Sequence, residues 1–569
     1  MDLPSLLMAG SLDTLTSYFS VAFLAIFLPV SVVVYAVIPQ KARKYFLLIA
    51  SFAFFWLISG QLIAYLCLII MGVHYFGLWL DRIQTQKSAA LKAVPKEEKK
   101  ALKKVYLHRS RRVLLFAAVL MIGGLLVIKY SPFFTTNVNS LLLLLNIPIQ
   151  FDIPSYIMPI GISFFTLQAV SYLFDVYRGL IKADDNILRL ALFMSFFPQI
   201  VEGPICRYGQ TANQLWNVKQ IEFENLKLGA VRILFGLMKK LVIADRLNPM
   251  IKQIFSHYDD YQGGIIALGA IAYTIQLYCD FSGTMDAVMG VAQIFGVTMP
   301  ENFQRPFFSK SISEFWKRWH ITLGTWFKDY IFYPVTMSKP MKNLTSSARK
   351  KLGNHFGPLL AGSIALFCVW FCNGLWHGSA WGYIFFGMYH FVLILSGNII
   401  APAVTAFNKK LHINSECFAY KVFQMVRTGI LVVIGEMFFR AERLTTGLSM
   451  FGKMVTDFSF SSLNYELMKK LKIDMHDVMI VLIALAFIFV ISVLNEKGIC
   501  VRGAIAKRNV VIRWAAVYAL IMFIIIFGAY GKGYVAVDPI YANCQLCPVC
   551  CNTSRITSGV LTRISAKVK

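Results

Sequence analysis

Charge is scarce in this chain, and negative charge scarcer still: 15% of the 569 residues are charged, with 29 Asp and Glu against 56 Lys and Arg. A soluble globular domain carries about a quarter charged residues, so this sequence is short of water-facing surface. Several catalytic signatures are also missing. No P-loop is present, which excludes nucleotide hydrolysis of that type, and neither a G-x-S-x-G elbow nor an H-E-x-x-H zinc motif occurs. The 11 cysteines are an odd number, and Cys67, Cys279, Cys368 and Cys372 lie in or beside apolar runs. That placement reads as small buried hydrophobes rather than a disulfide framework. Cys544, Cys547, Cys550 and Cys551 have metal-like spacing but no second ligand pair, so no metal is expected there. A basic region and a small-residue cleavage site are both lacking around the first apolar run, which is read as a retained helix.

What is present in abundance is apolar sequence, at 57%. Runs long enough for helical crossings recur near 18–38, 45–59, 62–80, 113–129, 157–176, 187–205, 225–245 and 262–281. They continue near 287–296, 359–376, 381–399, 421–440, 478–494 and 511–529. The expected fold is an all-α polytopic membrane protein with about 11–13 transmembrane helices plus re-entrant and interfacial helices. A β-barrel would show short alternating segments instead.

The net charge of +27 accompanies no nucleic-acid recognition module, and the basic residues cluster in loops, so membrane topology and anionic lipid explain the excess without a nucleic-acid partner. Residues 82–112 hold eleven Lys and Arg, among them Lys104, Arg109, Arg111 and Arg112, whereas 130–156 hold none. The positive-inside rule puts 82–112 in the cytoplasm and 130–156 outside, and counting back places the N-terminus outside as well. The basic loop is either a solvated topology signal or the tip of a helical hairpin that binds a carrier protein or lipid.

Three segments carry chemistry. In 311–331, SISEFWKRWHITLGTWFKDYI, Ser311 and Glu314 have capping-box spacing, and helical periodicity gathers Trp316, Trp319, Leu323, Trp326 and Tyr330 on one face. This predicts one amphipathic helix lying in the membrane interface, with His320 at the edge of its aromatic face, either functional or bonded to a headgroup or carbonyl. In NGLWHGSAWG (373–382), Gly374, Gly378 and Gly382 recur every fourth residue, which suits close helix packing and also a break that admits a ligand. His377, between Trp376 and Trp381, is an ionisable group at membrane depth, functional by default, and neutral imidazole is a competent general base toward a hydroxyl. His390 lies beyond the break and reads as functional or as an interhelical packing residue. In YCDFSGTMDAVMG (278–290), Asp280 and Asp286 interrupt an apolar run and Gly283 offers a helix break. These carboxylates line a polar cavity or pair with cations such as those at 239–252. Histidines without a serine nucleophile suit transfer from an already activated donor, such as a thioester.

At these residues the sequence resembles the bacterial branch of the membrane-bound O-acyltransferase family, which includes alginate O-acetyltransferases and D-alanyl transfer proteins. PENFQRPFFSKSISEFWKRWHITLGTWFKDYIFYP (300–334) and GLWHGSAWGYIFFGMYH (374–390) carry the resemblance. Further matches are PIGISFFTLQAVSYLFDVYRG (159–179), FFPQIVEGPICRY (196–208) and GEMFFRAERL (435–444), together spanning about 18–455. The resemblance implies a domain over 1–540 with its motif core at about 157–445, a ring of helices around a central tunnel, and a Cys-containing tail (541–569) outside the match. It implies catalytic roles for His377 and His320, tunnel-wall positions for Asn373, Trp376 and Trp381, and structural or pocket roles for Asp280 and Ser282. It further implies a bacterial inner-membrane enzyme with no bound cofactor, fed by acetyl-CoA or an acyl carrier protein. Its acyl group would pass to an extracytoplasmic polysaccharide or to a secreted or membrane-anchored SGNH-type partner acyltransferase. D-alanyl transfer to teichoic acid is the alternative within the family, and a non-catalytic flippase or transporter the alternative outside it.

Overall fold

The computed structural model describes residues 18–154, 156 and 158–530. The 541–569 tail with its cysteine cluster lies outside the described residues. Within them the chain is helical, with no strand, as expected for a polytopic all-α protein whose backbone polar groups must be satisfied within each segment.

Eight helices among the described residues are long and apolar enough to cross a bilayer: Gln40–Ala93, Lys99–Leu144, Gly263–Ile294, Lys339–His377, Trp381–Lys410, Phe418–Arg440, Met475–Glu496 and Val510–Phe527. The first of these is broken at Gly60, which takes φ +54, into Gln40–Ser59 and Ile63–Ala93. The other apolar runs of the sequence take different forms among the described residues. The apolar runs near 157–176 and 187–205 yield helices of only 17 and 9 residues, Ile162–Arg178 and Ile187–Ser195. The run near 225–245 is an α-helix, Phe223–Leu237, that loosens into a π-helical turn at Met238–Ala244. The runs at 262–281 and 287–296 fuse into the single helix Gly263–Ile294.

The chain divides into two compact units. The first contains the described residues up to Gln220 together with His377–Ser379. In it, Ile63–Ala93 and Lys99–Leu144 form a hairpin, and the basic residues of 82–112 lie mainly on its two helical arms rather than in the turn between them. The helix Ile162–Arg178 starts at Gly161, whose φ of +77 only glycine adopts without strain, and where a Cβ would lie 1.9 Å from the Ile200 carbonyl oxygen. Asp184 ties the following loop together: it takes two bonds from Arg189, at 2.5 and 2.7 Å, and one from the Tyr208 hydroxyl. These bonds hold its carboxyl below the ordinary range against the opposing effect of burial.

The second unit holds Ile221–Trp376 and the described residues from Ala380 onward. Its central contact is between Phe223–Leu237 and Gly263–Ile294, which touch backbone to backbone at two glycine pairs, Gly229 with Gly290 and Gly236 with Gly283. A Cβ on Gly236 would lie 2.5 Å from the Gly283 carbonyl oxygen, and one on Gly229 2.5 Å from that of Gly290. Small residues at such crossings let helices approach closely, the packing device available where lipid supplies no hydrophobic drive. Gly283 therefore does not break its helix, as the sequence suggested it could; it serves the crossing.

Gly161→Ala is expected to destabilise the protein by more than about 1 kcal/mol, because it adds both a backbone strain and a clash. The thermal midpoint and yield of monodisperse protein in detergent report it, and an unchanged midpoint would show that the turn at Ile200 can yield.

Candidate active site

The close crossing in the second unit brings buried charge together. Lys240 lies 2.6 Å from Asp280 and 2.8 Å from Asp245, with the lysine and Asp280 side chains 2% and 1% exposed. Lys239 reaches Asp286 at 2.6 Å and donates to Ser282 Oγ at 2.9 Å, while Arg232 joins Asp286 at 2.9 Å and Glu301 at 2.6 Å. The π-helical turn at Met238–Ala244 carries both lysines toward the same neighbouring helix. Of the two readings open for Asp280 and Asp286, this geometry is the pairing one: each carboxylate is matched by a cation from 232–240. Ser282 is part of the same lattice.

Beyond Ile294 the chain returns through a loop whose Asn302 is fully buried. Asn302 pairs this loop with 318–322: Ile321 N–H donates to its carbonyl at 3.0 Å, and Gln304 N–H donates to the Arg318 carbonyl at 2.9 Å. The Asn302 side-chain oxygen accepts from Thr322 twice, from the N–H at 3.0 Å and the hydroxyl at 2.9 Å. That competition explains a departure from the expected single helix over 311–331. Ser311 caps as predicted, accepting from Glu314 N–H at 3.2 Å, but the helix Ile312–Arg318 stops at Trp319 and a new one, Ile321–Phe327, starts after His320. His320 itself takes a left-handed φ of 44, a conformation uncommon outside glycine and met more often in Asn, Asp and His than in other residues. The aromatic face is turned into the protein: Trp319, Leu323, Trp326 and Tyr330 are all buried.

His320 is 2% exposed, with its ring against Phe281 at 4.8 Å and Trp376 at 5.7 Å. Its Nδ1 lies 3.2 Å from Asn302 Oδ1. Because that oxygen already accepts from Thr322, and Asn302 Nδ2 points at the Met285 sulfur 3.2 Å away, the amide orientation follows from the network. His320 Nδ1 then carries the proton and donates, which leaves the lone pair on Nε2. Burial pulls this imidazole from 6.5 down to about 3, so it is neutral at physiological pH.

His377 is the last residue of Lys339–His377, is 2% exposed, and follows directly on Trp376, whose ring meets His320. The chain breaks over Gly378–Ala380 before Trp381–Lys410 begins. Gly374 packs against this second helix, where a Cβ would lie 2.6 Å from the Tyr383 carbonyl oxygen; the motif thus provides both a close contact and a break. Asn373 and Trp376 are buried, whereas Trp381 is 55% exposed. Asn302, which orients His320, escaped the sequence reading although it sits in PENFQRP; the signal was a polar residue next to an aromatic one, and its partner is 18 positions away.

The chain matches the model of the membrane-bound O-acyltransferase family over residues 180–349. It is 32% identical to a protein of Pseudomonas syringae pv. tomato named "Probable alginate O-acetylase", over 78% of this chain and 76% of the relative. A Helicobacter pylori peptidoglycan O-acetyltransferase is 28% identical over 76% of this chain and 78% of its own length. A teichoic acid D-alanyltransferase of Bacillus subtilis is 33% identical, over 42% of this chain and 58% of the relative.

Lys240→Met strands Asp280 and Asp245 in a buried setting and should cost about 3–5 kcal/mol; adding Asp280→Asn should return part of that, read as thermal midpoints in detergent. His320 makes a separate, pH-dependent contribution. Unfolded, it takes a proton below about 6.5, but folded only near 3, so its contribution is full above 6.5 and is lost as pH falls toward 3. His320→Asn should therefore lose less stability than the parent between about pH 7 and 4.5. Equal acid sensitivity of the two proteins would contradict a neutral, buried imidazole.

Proposed function

The chain belongs to the membrane-bound O-acyltransferase family, and on that premise we propose that it moves acetyl groups from a cytosolic thioester, acetyl-CoA or an acyl carrier protein, to an extracytoplasmic hydroxyl. It is a multi-pass membrane acyltransferase, which sets aside the non-catalytic transporter reading. The single observation that carries the finer proposal is the setting of His320: a buried imidazole between Phe281 and Trp376, with its Nδ1 3.2 Å from the Asn302 side-chain oxygen.

In the proposed reaction, His377 takes the proton of the acceptor hydroxyl as its oxygen bonds to the thioester carbonyl carbon. The carbon–sulfur bond breaks, and the departing thiolate receives the proton back from His377. The products are an ester and a free thiol, with no net proton change. His320, held in place by Asn302, orients the acceptor. Asn373 and Trp376 wall the passage. Asp280 and Ser282 act at a remove by fixing Gly263–Ile294, the helix that carries Phe281 against His320.

The acceptor in this reading is an envelope polysaccharide, reached directly or through a secreted or membrane-anchored SGNH-type partner acyltransferase. Support comes from the relatives matched over most of their length, which are named for alginate and peptidoglycan O-acetylation. D-alanyl transfer to teichoic acid has support from a match over a smaller share of the chain. We place the protein in the bacterial inner membrane with the basic segment 82–112 cytoplasmic and the N-terminus outside, on the charge asymmetry between 82–112 and 130–156.

His377→Ala should abolish ester-linked acetyl on surface polymers while membrane expression stays intact, and His320→Ala should lower transfer at least about a hundredfold. Transfer of radiolabel from acetyl-CoA, or from an acetylated or D-alanylated carrier protein, to polymer by the reconstituted enzyme distinguishes the donors. Normal acetylation in the His377→Ala strain would remove that histidine from the mechanism.

A further inference from the structure

We infer that His390 is a positioning residue for His320, acting through the indole of Trp316; the functional consequence rests on the transfer reading above. His390 is fully buried on Trp381–Lys410. The Trp316 indole N–H donates to its Nδ1 at 3.2 Å, so the imidazole proton sits on Nε2. The two rings meet edge to face at 4.9 Å, and the indole is wedged against Trp370 at 4.9 Å and Phe386 at 5.9 Å. From the opposite side the helix Phe418–Arg440 closes on the imidazole at Gly435, where a Cβ would lie 2.8 Å from His390 Nε2. A side chain there would push the ring out of place.

Trp316 lies in Ile312–Arg318, a helix of seven residues. Isolated helices of that length are not stable in water, because nucleation costs more than so few bonds return, so its placement depends on what grips it. Its two ends are held from the backbone: Arg427 donates to the Lys310 carbonyl at 2.9 Å, and Asn302 pairs beyond its C-terminus. His390 grips the middle. Four residues further on stands His320, in its left-handed conformation. A shift of this helix passes directly to that imidazole, and misplacement of a reacting group by about 1 Å can cost about a hundredfold in rate.

The test uses purified full-length protein as His390→Phe, which keeps a ring and removes the acceptor; His390→Asn, which restores an acceptor near the Nδ1 position; Trp316→Phe; and the Phe–Phe double variant. Hydrogen–deuterium exchange of peptides covering 311–322 is read beside kcat and KM for acetyl transfer. Expected are exchange at least about threefold faster and kcat about tenfold lower in His390→Phe and Trp316→Phe, with KM within about twofold. The double variant should be no worse than either single one, and His390→Asn should recover most of both readouts. Parental exchange rates over 311–322 in His390→Phe would overturn the inference, as would parental kcat in that variant while His320→Ala is inactive. If the parent transfers no acetyl at all, the transfer reading fails, and the exchange comparison still decides whether His390 holds the helix.

Discussion

At the central crossing of the second unit buried lysines stand beside carboxylates, and the unit is organised around that pairing. Lys239 and Lys240 are almost inaccessible, and each needs a carboxylate within reach. The glycine pairs at 229/290 and 236/283 bring the two backbones close enough for those bonds to form, and the π-helical turn presents consecutive lysines on one side. Glycine here is less a source of flexibility than a way to shorten a distance. The helix so fixed, Gly263–Ile294, carries Phe281 onto His320 and leads directly into the loop that delivers Asn302. Ion pairing, helix crossing and imidazole orientation thus form one mechanical sequence.

The spans Phe418–Arg440, Met475–Glu496 and Val510–Phe527 were legible within a few residues, because a long apolar run in lipid has few alternatives to a helix. The capped start at Ser311 was legible too, since a hydroxyl and its N–H acceptor site are local. The break at His320 was not, because the competitor for the helical N–H groups is Asn302, a partner outside any helical window. Asp280 and Asp286 show a different limit. Composition marked them as costly, but whether a buried carboxylate meets a cation or a cavity depends on which helix crosses it, and sequence spacing does not state that. Gly283 could be read as breaker or contact for the same reason. His320 and His377 stood out because imidazoles in apolar surroundings are rare; Asn302 did not, because amides are common in loops.

The site's chemistry follows from subtraction as much as from provision. Asn302 holds one nitrogen of His320, burial removes its positive form, and aromatic rings occupy its flanks. What is left is a neutral ring held in one orientation. The same economy applies to Trp316 and His390, where a single N–H fixes a tautomer and a helix at once.

The hairpin arm Lys99–Leu144 has 46 residues, which at 1.5 Å each makes a rod of roughly 69 Å. The hydrocarbon layer is about 30 Å thick, so the rod is more than twice as long as that layer is deep. One end of that rod is cationic, with Lys104, Arg109, Arg111 and Arg112 exposed along it. The pull of such a row of cations on an anionic molecule fades with added salt over a screening distance of about 10 Å.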